Sequence, residues 1–88
     1  MNETKIFQLI TPIDDVIELT IEEPTVSEIS KLGEDTAKFG ATRALVALIS
    51  AQTKQPATVI SRLKARDFNA INRYLNSFFD EPPGILET

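Results

Sequence analysis

The chain has no cysteine, so neither a disulfide framework nor a thiolate nucleophile or ligand is available to it. It has no histidine either, which removes the commonest general base and the commonest metal ligand. Catalysis would have to rest on carboxylates, hydroxyls, lysines or the one tyrosine, and the serines lack any histidine to activate them. Glycine is scarce, and Gly33 and Gly40 are not followed by the Gly-Lys-Ser/Thr of a phosphate loop. Asp14, Asp15 and Glu18 lack the spacing and the glycine of a calcium loop, and read as a turn and a solvated strand face. The residues therefore predict a protein that is not an enzyme, with no cofactor and no metal site. Long apolar runs are also missing: no stretch approaches the ~20 residues of a membrane span. The first residues, MNETKIFQ, lack the positive start and apolar core of a signal peptide. The expected location is the compartment of synthesis, a reducing cytoplasm.

What is present fits one small domain. Eighty-eight residues with 42% apolar and 25% charged side chains are ordinary globular values near the small end of what folds alone. Residues 1–80 are expected to form the domain and 81–88 a flexible tail. Stability at this size can draw on partners or self-association. The net charge of −4 is unevenly spread. Residues 1–35 hold nine acids against Lys5 and Lys31, a balance of −7; residues 36–79 hold seven bases against Asp67 alone, a balance of +6. The two halves can attract each other within one fold, or the basic half can face an acidic partner or a second copy.

Periodicity supplies the architecture. Ile6–Ile10 is β-branched and aromatic, and Thr11-Pro12 limits it as an edge or strand end. Asp14-Asp15 carries turn chemistry. From Val16 to Ile21 the alternation sets Ile17, Leu19 and Ile21 on one face. These runs predict a hairpin that needs helices over its apolar face. Thr25-Val26-Ser27-Glu28 reads as a capping box, and the spacing predicts a short helix stopped or loosened by Gly33. A second helix is expected to begin near Glu34 or Asp35 and to be weakened at Gly40. Ala41–Ala51 should be the most buried helix. Pro56 suits the first turn of another short helix, and Asp67 the N-cap of the last one. Phe68, Ile71, Leu75 and Phe78 line that last helix's inner face, with Tyr74 and Phe79 flanking it and Asn69, Asn72, Arg73 and Asn76 opposite. The expected fold is α+β, an N-terminal β-hairpin packed against a bundle of about four short helices.

Two interaction surfaces suggest themselves. Four of the six aromatics lie in the final helix, more than its own stripe needs, so Tyr74 and Phe79 can extend an apolar patch for a partner helix. Arg62, Lys64, Arg66 and Arg73 gather at the junction of the last two helices, a loose match to the helix-turn-helix of a small DNA-binding regulator of phage or bacterial origin. Against nucleic acid stand the acidic total and the few phosphates four bases can neutralise.

The order of these signals resembles a known family. Leu9-Ile10-Thr11-Pro12-Ile13, Ile17-Glu18-Leu19-Thr20-Ile21, Pro24-Thr25 and Leu63-Lys64-Ala65-Arg66-Asp67-Phe68, followed by Phe78-Phe79, are similar to the ordered landmarks of the phage tail assembly chaperones of the protein E / protein 41 class. The resemblance covers residues 5–79, in the ordered set rather than in any single motif. It implies a non-enzymatic protein of contractile-tailed phages or prophages. Such a protein binds the long, aggregation-prone helices of the tape measure protein, helps recruit tail tube subunits, and is not expected in the mature virion. It also implies, in many relatives, a programmed −1 ribosomal frameshift near the end of the frame, for which Phe78-Phe79 codons can supply a run of thymidines. The family supplies no binding residues to carry over. The residues themselves point to Arg73, Tyr74, Phe78 and Phe79 as the partner-binding set.

Overall fold

A two-stranded antiparallel hairpin opens the fold and four helices follow it, an α+β architecture in the expected order. The computed structural model describes residues 4–79, so the expected tail at 81–88 lies outside the described residues. The strands are β1 (Thr4–Ile13) and β2 (Val16–Glu22). The helices are α1 (Val26–Phe39), α2 (Ala41–Thr53), α3 (Ala57–Ile60) and α4 (Ala65–Phe79). Among the described residues no helix is long and apolar enough to cross a membrane.

The hairpin turns at Asp14-Asp15, where Asp14 takes φ 51°, a left-handed conformation that a short Asp side chain tolerates. Pairing runs regularly from Thr4↔Glu22 to Gln8↔Glu18, then slips before resuming at Ile13↔Val16. Four residues of β1 (Leu9 to Pro12) thus stand opposite Ile17 alone, a bulge with Pro12 inside it, where its missing N–H costs nothing. The slip alters the expected inward face of β2. Leu19 and Ile21 are buried and Val16 packs on the core, whereas Ile17 is exposed. Strict alternation assigns Ile17 to the core; a bulge resets the alternation, and period-2 reading does not survive it.

Bulged amides need other acceptors. The Asp67 carboxylate supplies them, taking the Ile10 amide at 2.9 Å and the Thr11 amide at 3.1 Å. It is 5% exposed, the one charged side chain buried among the described residues. The last helix therefore starts at Ala65 rather than being capped by Asp67, which sits in the first turn and faces the sheet. Gln52, near the end of α2, does the corresponding work on β2. Its side-chain amide donates to the Glu22 carbonyl and accepts from the Glu22 amide, both at 3.0 Å. Each strand is thus tied by one polar side chain to one helix, β1 to α4 and β2 to α2.

The expected capping box is present: Thr25 Oγ1 accepts from the Glu28 amide and the Glu28 carboxylate accepts from the Thr25 amide. The helix it launches runs straight through Gly33, correcting the expected boundary. A Lys31–Asp35 pair at 3.0 Å spans the glycine at i, i+4. The break falls at Gly40, with φ 94° and ψ 160°, a conformation open to glycine. Its amide closes α1 on the Thr36 carbonyl, and its carbonyl opens α2 by accepting from Ala44. Pro56 stands one residue before α3, with φ −61° preset for helix entry.

The core is a single cluster. Leu9, Ile13, Leu19 and Ile21 from the hairpin meet Leu48 and Ile49 of α2, Ile60 of α3, and Ile71 and Leu75 of α4. Full burial of each such side chain stabilises by roughly 1.5–3 kcal/mol before ordering costs. Helix α2 is the central one, as its apolar circumference predicts, packing on α1, β2 and α3. Helix α1 has no buried residue and rests on α2.

Candidate functional site

Helix α4 and strand β1 meet along a seam of aromatic rings. Tyr74 and Phe78 are four residues apart and so share a helix face. Phe7 reaches them from β1 because it alternates with buried Leu9 and so points inward. The Phe7 and Tyr74 rings meet edge to face with centroids 5.6 Å apart, and Tyr74 meets Phe78 likewise at 5.1 Å. All three are half-buried, and Phe7 and Tyr74 pack against the core. Lys5, two residues before Phe7 on the same strand face, places Nζ 5.2 Å from the Phe7 centroid and 5.6 Å from that of Tyr74.

Of the four residues expected to bind a partner, the structure brings Tyr74 and Phe78 into one ring stack. Arg73 precedes them with its side chain exposed, and Phe79 ends α4 with its side chain outside the described residues. Sequence reading missed Phe7 and Lys5. The signal was available in the parity of Phe7 with Leu9, but only tertiary packing reveals that α4 lies over that part of the strand.

Among the described residues no group of three or more carboxylates is placed to hold a metal ion. Asp14 pairs at 2.7 Å with Arg62, and Glu18 accepts from the Gln8 side chain at 2.8 Å across the hairpin. The Asp14–Arg62 pair is the one ion pair that joins the acidic and basic halves among the described residues. At the junction expected to resemble a helix-turn-helix, α3 has four residues and the first turn of α4 is engaged on β1 through Asp67. No protein-family model matches the chain, and neither the curated proteins nor the solved structures contain a match to it.

Proposed function

We propose that this chain is a non-enzymatic phage tail assembly chaperone. It binds helical segments of the tape measure protein and helps recruit tail tube subunits, acts in the host bacterial cytoplasm, and is not carried into the mature virion. The observation that supports this reading is the seam of Phe7, Tyr74 and Phe78, a row of half-buried rings with Lys5 across it and Arg73 beside it. Rings fixed by mutual edge-to-face contact lose little entropy when a partner helix covers them, so they suit the anchoring positions of an interface. The ordered landmarks of the sequence, from Leu9–Ile13 to Phe78-Phe79, are what first suggests the role.

The test is co-purification with the tape measure protein of the same tail gene cluster. The wild-type chain is expected to retain it, and a Tyr74→Ala/Phe79→Ala variant that keeps its helical circular dichroism is expected to lose most of it. Undiminished capture by the folded variant would remove Tyr74 and Phe79 from the interface, and failure of the wild type to bind would remove the function.

A further inference from the structure

We infer that the outer side of α2 is a docking groove for an acidic amphipathic helix of a partner protein. This surface is separate from the aromatic seam and does not depend on the chaperone reading. Two depressions, about 410 and 230 Å³, meet at Val46 and Ser61, which line both. Phe39 and Ala47 belong to the first, Leu63 and Phe68 to the second. Phe39 ends α1 with 57% of its surface exposed, which is costly for a phenylalanine with nothing to cover. The small side chains of Ala47, Ala57 and Ser61 leave room for a backbone to approach.

Charge decides what fits there. Arg43 lines the first depression, and Lys64 and Arg66 flank Ala65, which lines the second. The basic half of the chain contains one acid, Asp67, which is buried on the β1 amides and makes no ion pair with these cations. Arg62 is paired with Asp14. Arg43, Lys64 and Arg66 have no acidic partner among the described residues. The depressions therefore have a mostly apolar lining with Arg43 in it, and exposed Lys64 and Arg66 stand on either side of Ala65 in the chain, a set of cations that no acid neutralises among the described residues. A helix with apolar residues at i, i+3/i+4 and i+7, bordered by glutamates or aspartates, answers both features. A nucleic acid answers them less well: three cations offer few phosphate contacts, and most of the floor is aliphatic rather than a platform for stacked bases.

Two labelled synthetic helices of about 18 residues, roughly 27 Å long, provide the test by fluorescence anisotropy with the full chain. They share one leucine stripe and differ in carrying glutamate or lysine beside it. The glutamate helix is expected to bind saturably and at least ~10-fold more tightly than the lysine helix. Lys64→Glu/Arg66→Glu, at two exposed positions that leave the core untouched, should reverse that preference. Phe39→Ser, also exposed, should weaken both peptides. Equal binding of the two helices, no binding of either, or a preference unchanged by the charge reversal overturns the proposal. So does a DNA duplex that binds the wild type more tightly than the glutamate helix does.

Discussion

Asp67 is the one charged side chain buried among the described residues, and it ties α4 to β1. A carboxylate brings two oxygens and no donor, matching the two adjacent amides, Ile10 and Thr11, that the β1 bulge takes out of the ladder. Charge-assisted hydrogen bonds are the strong ones, and buried donors left without an acceptor are costly. Asp67→Ala is expected to destabilise by about 2–5 kcal/mol in urea unfolding, since both amides lose their acceptor. Asp67→Asn keeps one oxygen of similar shape and should fall between alanine and the wild type. Equal stability of all three proteins would show that water serves those amides as well as the carboxylate does. In sequence this residue has the signature of an N-cap, because an acid before an apolar helix face is the usual sign of one. What the sequence does not display is that a bulge 56 residues earlier has amides to offer.

At the level of elements, the two glycines of the helical hairpin make a direct comparison. An added Cβ at Gly33 meets nothing within 4 Å, and the residue lies mid-helix, where glycine costs about 1 kcal/mol relative to alanine. Gly33→Ala should therefore stabilise by about 1 kcal/mol. Gly40→Ala has equal space but must hold φ 94°, and should destabilise by about 1–2 kcal/mol. Thermal unfolding of both variants checks the pair, and equal shifts of the same sign would contradict it. The same pair marks how far the helices are legible from sequence. Composition identifies both glycines as weak points but does not rank them, because the ranking depends on the Lys31–Asp35 bridge across Gly33 and on the hairpin geometry demanded at Gly40. Elements set by strong local chemistry read correctly: the Thr25–Glu28 box, the alanine-rich α2, and the Ile71–Leu75 stripe. The elements misread are those where a long-range contact overrides local pattern, namely Ile17 opposite the bulge, the start of α4 and the α1–α2 boundary. The candidate site follows the same rule, since Tyr74 and Phe78 share a helix face visible in the sequence while their neighbour Phe7 comes from a strand.

Taken whole, the molecule is unevenly held. The hairpin, α2, α3 and α4 share one core, and the strands are tied to α4 through Asp67 and to α2 through Gln52. Helix α1 joins that core through half-buried Leu32 alone among the described residues. It rests on α2 with no buried residue, and Val26 is 83% exposed at its start. Its supports are half-buried Leu32 packed against the core, the capping box, worth about 1 kcal/mol, and one i, i+4 ion pair, worth less. An element with so little buried apolar surface opens at a lower free energy than the core. Native-state hydrogen exchange should therefore find the α1 amides exchanging well before those around Ile71 and Leu75, which should exchange only with global unfolding. Gly33→Ala tests the cause as well as the order, because a stiffer α1 should slow its own exchange. Exchange around Leu75 should slow only as far as global stability rises. If α1 and α4 amides exchange at one common free energy in the wild-type chain, α1 is an integral part of the cooperative unit and the uneven reading of the molecule is wrong.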